Sequence, residues 1–257
     1  SPIHKKFLFK LQIPFIKSIV NQASTVIVPN NYEKEIFKNF CHESKIYVVK
    51  NGIDLDELNS PIIDFKQKYS LKQDFILFLG RFHKVKGIDV LIDAIKLIKD
   101  DILLKQVKIV IMGVDFGYER KMEEKIKNLG LSENFLIIKK PPREDVISAY
   151  TLCKFSVLPS RWELSPLTPL EVFACKKTVI STTAHGIPHT IQNNENCILV
   201  PPSNPKELSN AILDLLKNQD KCEKLAKSGY DMVVNEGNLY SMARNMFSVY
   251  QKTIEKT

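Results

Sequence analysis

The chain has 257 residues, of which 44% are hydrophobic and 26% are charged, and its formal net charge is +8. This composition is typical of a globular protein with one large domain or one and a half domains of the usual size, and it excludes a low-complexity or disordered chain. No apolar run approaches the roughly 20 residues of a membrane-spanning helix. The lysines are interleaved with Asp and Glu on the predicted helices, so no basic stripe forms and we predict no nucleic-acid partner.

The cysteines are odd in number, scattered, and never arranged as a Cys-x-x-Cys pair. This pattern argues against a disulfide framework and a zinc site, and it predicts reduced thiols in a cytoplasmic protein. The five cysteines are Cys41, Cys153, Cys175, Cys197 and Cys222.

The first 32 residues contain no acidic side chain, and apolar residues recur among their lysines at helical spacing. The stripe, which Pro14 interrupts, contains Lys5, Lys6, Phe7, Leu8, Lys10, Leu11, Phe15, Lys17 and Ile19. A basic amphipathic helix can lie on an anionic membrane surface, so peripheral membrane contact through residues 5–20 is one interpretation. The other, which we favour, is that the stripe packs on a neighbouring domain while the lysines are solvated.

Short elements follow this segment. Residues 23–28 are predicted to form a strand, and a helix is predicted from about Asn31, with Asn30 as its cap and Glu33 completing a capping box. A second short strand at 45–49 leads into the pair Asn-Gly at 51–52, which is typical of a tight turn.

From residue 75 onward, apolar strand-like runs alternate regularly with helical patterns. Strands are predicted at 75–79, 107–112, 135–138, 155–158, 178–181 and 197–200. Helices are predicted at 88–98, 143–152, and near 205–217, 220–235 and 239–256. Three further helices are predicted, one that ends at a cap at Gly130, one that begins at Thr168 and a short one that begins at Pro188. This alternation predicts a doubly wound, parallel α/β sheet.

Two carboxylates, Glu163 and Glu171, bracket the turn between the strand at 155–158 and the helix from Thr168, with seven residues between them. In an open α/β sheet, ligands lie outside the carboxyl ends of the strands, where helix N-termini point. Carboxylates accept paired hydrogen bonds from hydroxyl groups, so a sugar or a ribose suits this position. Taken alone, the spacing also fits a solvated Glu163 and a Glu171 that interacts only with its helix dipole.

A basic loop, residues 80–87, follows the first strand of the same sheet. Gly80 permits a sharp exit from the strand, and Arg81 offers five planar donors that match phosphate oxygens. Lys86 adds a mobile charge just before a helix N-terminus, which itself favours anions. The sequence lacks the Gly-x-Gly-x-x-Gly fingerprint and a Walker lysine, so neither common nucleotide-binding loop is present. A solvated basic loop is the alternative interpretation.

Together, the Arg81–Lys86 loop and the Glu163–Glu171 pair resemble, in the same order, the motifs of the retaining GT-B glycosyltransferases. More narrowly, they are similar to the large fourth sequence family, the glycosyl transferases of group 1. The resemblance covers about residues 22–250.

This resemblance implies a Rossmann-like sheet of GT-B type with a short remnant of the N-terminal domain. Residues 1–60 would be the tail of the N-terminal, acceptor-binding domain and the hinge. Residues 61–238 would form the nucleotide-sugar-binding domain, and residues 239–257 would be a helix that packs back toward the N-terminal domain.

The resemblance also implies a role for each motif residue. Arg81 and Lys86 would hold the donor diphosphate beside Gly80, and with Glu163 they form the implied catalytic set. Glu163 would contact the transferred sugar, and Glu171 the ribose hydroxyls. The other implied donor contacts are Lys140 and Pro141, which flank the base, and Ser165, Pro166 and Leu167, which line the sugar and phosphate.

The implied activity is transfer of a hexose from a UDP-, GDP- or ADP-sugar to an unknown glycan, lipid or small-molecule acceptor, with retention of configuration, in carbohydrate biosynthesis. It requires no metal and no cofactor, because the departing nucleoside diphosphate is a stable anion that preorganised cations can stabilise. From the residues alone Glu163 is also a candidate covalent nucleophile, whereas the resemblance makes it a sugar ligand. Because most of the N-terminal domain is absent, this chain alone is expected to be inactive.

Three positions depart from the usual family pattern. The family has Gly-Phe-Gly after the first Glu, whereas residues 164–166 are Leu-Ser-Pro, and proline removes a backbone donor. A Gly-Gly-x-x-Glu motif is replaced by His-Gly-Ile-Pro-His at 185–189. Lys176 stands where the family has glycine, just after the helix of Glu171, so we predict positive φ at Lys176.

Two other functions stay open. A nucleotide-sugar epimerase shares the two-domain architecture, but it would need acid/base carboxylates and a histidine at the sugar. A non-catalytic nucleotide-binding or membrane-surface module would have no turnover, and the basic start of the chain favours membrane contact in either case.

Overall fold

The computed structural model describes residues 3–59 and 63–255, with side chains from residue 12 onward. The strands are β1 (Val26–Val28), β2 (Ile46–Val48), β3 (Asp74–Leu79), β4 (Val107–Gly113), β5 (Phe135–Lys139), β6 (Ser156–Val157), β7 (Val179–Thr182) and β8 (Cys197–Val200). The helices are α1 (Ile3–Gln22), α2 (Asn31–Phe37), α3 (Leu55–Leu58), α4 (Phe65–Lys68), α5 (Ile88–Ile98), α6 (Glu119–Asn128), α7 (Arg143–Leu152), α8 (Thr168–Ala174), α9 (Pro205–Lys217), α10 (Gln219–Asn235) and α11 (Leu239–Ile254).

The described strands form two parallel sheets. β1 and β2 pair in a small sheet of their own, and the other strands form a six-stranded sheet in the order β5-β4-β3-β6-β7-β8. The chain therefore winds outward from β3 in one direction, crosses to β6, and winds outward in the other direction. This order confirms the predicted doubly wound, parallel α/β architecture.

The core lies on both faces of the large sheet, because successive strand residues point to opposite faces. In β3, Ile76 and Phe78 face one side and pack in a cluster with α5 and α9. Phe75 and Leu77 face the other side and pack with α7 and α8. All four side chains are fully buried, so the central strand is fixed from both sides.

Most predicted elements lie within a residue or two of their observed bounds, and β1 shows the clearest difference. The predicted strand begins at Ala23, whereas β1 begins at Val26. The N–H of Ala23 still donates to the carbonyl of Ile19 at 3.1 Å, so the last turn of α1 occupies the start of the predicted strand. The predicted cap of α2 is confirmed, since the Asn30 side chain accepts from the N–H of Glu33 at 3.0 Å.

The N-terminal basic segment forms a single helix, α1, which continues through Pro14 to Gln22. The predicted stripe members up to residue 11 have side chains outside the described residues. Phe15 and Ile19 are exposed, and no described helix is long and apolar enough to cross a membrane. Membrane contact and packing on a neighbouring domain both stay predictions.

The predicted three-part division of the chain also stays a prediction, and its first boundary lies at residues 60–62, outside the described residues. The segment before β1 contacts the C-terminal helix. The Thr25 hydroxyl, just before β1, lies 2.7 Å from the hydroxyl of Thr253 on α11.

The cysteines are free thiols in this structure, and four of the five are buried. Burial raises the pKa of Cys153 and of Cys197 to about 12, and that of Cys175 to about 11. These three thiols are therefore poor nucleophiles at neutral pH, because the thiolate is the reactive form.

The predicted positive φ at Lys176 is confirmed, at 55°. The N–H of Lys176 donates to the carbonyl of Phe173, and that of Lys177 to the carbonyl of Val172, which together form a Schellman motif at the end of α8. The Lys176 ammonium also lies 5.1 Å from the ring centre of Tyr230.

Lys176→Gly is expected to leave stability unchanged or raise it by up to ~1 kcal/mol, because glycine adopts this conformation without strain. Urea denaturation would measure the change. Lys176→Ala is the matched control, since it removes the contact with Tyr230 but keeps the strained conformation. A Lys176→Gly variant less stable than Lys176→Ala would contradict the assignment of strain to this residue.

Candidate active site

The topological switch point of the large sheet lies between the neighbouring strands β3 and β6. After β3 the chain continues toward one edge of the sheet, and after β6 it continues toward the other edge. Open α/β sheets bind ligands in the crevice outside the carboxyl ends of such strands. The loop at residues 80–87 follows β3 and the turn at residues 159–163 follows β6, so both predicted motifs meet at this crevice.

Gly87 lets the two segments approach each other closely. Its φ is +71°, and a Cβ at this position would lie 1.9 Å from the carbonyl oxygen of Pro159. Beside this contact, the N–H of Arg161 donates to the carbonyl of Val85 at 2.7 Å. The phosphate-binding candidate loop and the carboxylate-bearing turn therefore form one packed unit.

The central pair of the site is Lys86 and Glu163. The Lys86 ammonium donates to Oε1 of Glu163, which also accepts from the Ser160 hydroxyl at 3.0 Å. The two charged side chains are only 15% and 13% exposed, so solvent screens their attraction less than it screens a surface pair. The structure thus places a predicted phosphate ligand directly against a predicted sugar ligand.

Arg161 holds the turn after β6 in position. Its guanidinium makes a bidentate pair with Asp89 on α5, at 2.7 and 2.8 Å, and also donates to the carbonyl of Lys84 at 2.7 Å. Burial alone would raise the pKa of the Asp89 carboxyl, but hydrogen bonds and charge from Arg161 outweigh burial and lower this pKa. The carboxylate therefore stays ionised and keeps Arg161 in place.

Glu171, in the first turn of α8, is held by two side chains. The Tyr150 hydroxyl donates to Oε2 at 2.8 Å, and Arg143 pairs with Oε1 at 2.9 Å. Burial first, and the neighbouring Glu171 second, raise the pKa of Tyr150 well above its usual value, so the phenol stays a donor. Glu171 is therefore a fixed acceptor rather than a solvated side chain.

Arg143 also connects this carboxylate to the segment before the large sheet. Its Nε and Nη2 atoms bond the two carboxylate oxygens of Glu57 on α3, at 2.9 and 2.7 Å. One guanidinium therefore bridges α3 and α8, so that a movement of α3 would act directly on Glu171.

The other predicted donor contacts lie along the same edge of the sheet. The Arg81 guanidinium is exposed and lies 5.1 Å from the ring centre of Phe116, in the loop after β4. Lys140 follows β5 with φ of 49°, and its N–H donates to the carbonyl of Gly113. Arg81 and Lys140 thus lie at the carboxyl ends of β3 and β5, while the central contact is made by Lys86.

The loop at 164–167 is hydrogen-bonded to residues that follow the two strands of the small N-terminal sheet. The Asn30 amide donates to the carbonyl of Leu164 at 2.8 Å, and the Asn51 amide donates to the Ser165 hydroxyl at 3.0 Å. Pro166 is buried and Leu167 is half-exposed just before α8. The sequence analysis missed both asparagine contacts, although the Asn-Gly turn at 51–52 was visible in the sequence.

A cavity of about 660 Å³ lies elsewhere among the described residues. Its lining includes Asp74, Lys154 and Lys177, which stand at the amino ends of β3, β6 and β7. That cavity is therefore at the opposite edge of the sheet from the switch point.

The chain matches the model of one protein family, "Glycosyl transferases group 1", over residues 59–232. This match covers well over half of the chain and includes both the basic loop and the carboxylate pair. The chain belongs to this family. The predicted family resemblance is thereby confirmed.

Individual relatives agree with this membership. An uncharacterised glycosyltransferase of Methanocaldococcus jannaschii is 29% identical over 239 residues, which cover 86% of this chain and 63% of that protein. The chain thus spans less than two thirds of that relative's length.

Solved structures share the fold. An Anabaena protein, HepE, crystallised in complex with UDP-glucose, has a TM-score of 0.83 at 19% identity, covering 94% of this chain and 68% of its own. The C-terminal domain of a group 1 glycosyl transferase from Francisella tularensis has a TM-score of 0.63 at 24% identity, covering 73% of this chain and all of that domain. The large sheet is therefore a GT-B sheet, as predicted.

Proposed function

We propose that this chain is the donor-binding part of a retaining glycosyltransferase, which transfers a hexose from a nucleotide diphosphate sugar to an acceptor. The Lys86–Glu163 pair at the switch point is the observation that carries the proposal. The pair sets an ammonium group, which suits phosphate oxygens, beside a carboxylate, which suits hydroxyl groups. The anomeric carbon of a nucleotide sugar likewise joins a diphosphate to a ring of hydroxyls.

In this proposal the diphosphate binds between Arg81 and Lys86, at the N-terminus of α5. An arriving phosphate competes with Glu163 for the Lys86 ammonium, and the carboxylate thereby becomes available to accept hydrogen bonds from the sugar hydroxyls. Glu171, held by Tyr150, accepts from the ribose hydroxyls. Ser165, Pro166 and Leu167 line the sugar and phosphate, and Lys140 and Pro141 flank the base.

The same cations would drive the chemistry. As the bond to the anomeric carbon breaks, negative charge develops on the leaving diphosphate, and fixed positive charges stabilise it without a metal or another cofactor. Glu163 acts as a sugar ligand in this scheme, and the configuration is retained. The acceptor is a glycan, a lipid or a small molecule, and residues 5–20 are a candidate membrane contact.

UDP is the first donor nucleotide to test, because HepE was crystallised with UDP-glucose and shares the fold. GDP and ADP are the alternatives. Family membership supports transfer over epimerisation. Since the chain spans 63% of its methanogen relative, we expect it to bind the donor but to transfer no sugar alone.

Arg81→Ala is expected to weaken UDP binding by roughly tenfold, since a charge-assisted hydrogen bond contributes ~1.5–3 kcal/mol. Isothermal calorimetry would measure the affinity. Arg120→Ala is the matched control, because this arginine is exposed on α6 and forms an ion pair with Glu124 of the same helix. Equal UDP affinity in the Arg81 variant and the wild type would show that Arg81 is not part of the proposed diphosphate site.

A further inference from the structure

Three aromatic side chains form a cluster near the Glu163 backbone, whose carbonyl accepts from the N–H of Gly186, the residue after His185, at 3.0 Å. Trp162, the only tryptophan of the chain, has its ring centre 6.1 Å from that of His185, in an edge-on arrangement. The His185 ring is in turn 5.7 Å from the Tyr32 ring, whose hydroxyl lies 2.7 Å from Nδ1 of the histidine. We call Trp162, His185 and Tyr32 the aromatic platform.

The platform lies on the ligand-binding edge of the fold. Trp162 follows β6 and directly precedes Glu163, His185 follows β7, and Tyr32 follows β1. Because β6 lies between β3 and β7, the site has an order along this edge. The diphosphate loop comes first, Glu163 comes next, and the platform lies beyond Glu163 on the side away from the phosphates.

The backbone at His185 carries a conformational cost. Its φ is 49°, a left-handed conformation that glycine adopts more easily than histidine does. The next residue, Gly186, has no room for a side chain, since a Cβ there would lie 1.6 Å from the carbonyl of Leu164. An imidazole is therefore kept in a strained position, where it contacts both Trp162 and Tyr32, and such strain is characteristic of functional sites.

The chemistry of the platform suits a pyranose ring. Trp162 is 48% exposed, so about half of this large aromatic side chain faces solvent at the residue next to the proposed sugar ligand. Aromatic faces carry partial negative charge and attract the C–H bonds on one face of a sugar. The Tyr32 hydroxyl and the His185 imidazole, which bond each other at 2.7 Å, are groups that can also exchange hydrogen bonds with sugar hydroxyls.

We propose that the aromatic platform binds a pyranose ring of the acceptor, which makes the acceptor a carbohydrate or a glycosylated molecule. The inference rests on the proposed function, since it needs a donor sugar at Glu163. The donor sugar is already assigned to Glu163 and the phosphates to the β3 side, so the free side next to the platform is where an acceptor reaches the anomeric carbon. Tyr32 lies on α2, which follows β1 of the small N-terminal sheet, so one wall of the subsite lies outside the donor-binding sheet.

Trp162 fluorescence tests the proposal, because it is the sole tryptophan signal. The probes are the methyl α-glycosides of glucose, galactose, mannose and N-acetylglucosamine, each titrated into the chain saturated with UDP. At least one glycoside is expected to shift the emission, and His185→Ala should weaken its binding at least about fivefold. Saturation-transfer spectra should show the same glycoside bound by Trp162→Phe and lost in Trp162→Ala.

Tyr240→Ala is the control, because this tyrosine is exposed on α11. It should leave the glycoside response unchanged. No emission change with any of the four glycosides, or saturation transfer that survives in Trp162→Ala, would overturn the proposal. An emission change with UDP alone and none with glycosides would assign the platform to the nucleobase and overturn it too. UDP affinity of the wild type is measured separately, so a chain that binds UDP but no glycoside contradicts the platform and leaves the donor site intact.

Discussion

Replacing Gly87 with alanine is expected to lower the free energy of unfolding by roughly 2–5 kcal/mol, the largest stability change we predict. Two costs add at this residue. The left-handed φ of +71° strains any residue with a Cβ, and the new methyl group would meet the Pro159 carbonyl at 1.9 Å. Backbone must move to relieve that contact, and the segments that would separate are the basic loop and the turn before Glu163. UDP binding should therefore weaken together with stability.

Gly130→Ala is the matched control for this substitution. Gly130 also has a left-handed φ, of +66°, but nothing lies within 4 Å of its added Cβ. Its loss should be about 1–2 kcal/mol, the conformational cost alone. Chemical denaturation of both variants would give the difference, which measures the contact with Pro159. Equal losses would show that the two segments are not packed as described.

Replacing Lys86 with methionine is expected to reduce UDP affinity by about 10–100-fold, the largest binding change we predict. Methionine keeps much of the side-chain length but removes the cation that both Glu163 and the proposed phosphate require. Stability should also fall, by about 1–3 kcal/mol, since the largely buried Glu163 would keep only the hydrogen bond from Ser160. Calorimetry and denaturation would measure the two effects separately.

The double variant Lys86→Met/Glu163→Gln separates structure from function. Neutralising Glu163 removes the unpaired charge, so stability should largely return, whereas UDP binding should not. Lys125→Met serves as the control on α6, because it breaks a more exposed pair with Asp93 and should cost less stability. If UDP binding recovered in the double variant, Lys86 would support the fold but would not bind phosphate.

Local sequence patterns predicted the fold well, because the signals for a parallel α/β sheet are short-range. The alternation of apolar strands with helical patterns, the Asn30 cap and the left-handed residue Lys176 after α8 each depend on a few neighbouring residues. β1 was predicted too long because the apolar pattern does not reveal that Ala23 completes the last turn of α1.

The candidate site was only partly visible in the sequence. Its first motif, Arg81 and Lys86, and the spacing of its carboxylates are local, and the family match confirms the family to which they point. The supporting contacts are not local. Arg161 pairs with Asp89, 72 residues away in sequence, and Tyr32 bonds His185, 153 residues away. Only the packed structure reveals such contacts.

Saturation-transfer spectra of this chain with UDP, GDP and ADP would test the central claim most directly. The proposed donor site predicts a saturation-transfer signal for one of the three nucleotides, in particular for its ribose protons. This signal should be lost in Glu171→Ala. A positive result would also name the donor class. No saturation-transfer signal for any of the three nucleotides, or ribose signals that persist unchanged in Glu171→Ala, would contradict the assignment of this switch point as a nucleotide-sugar site.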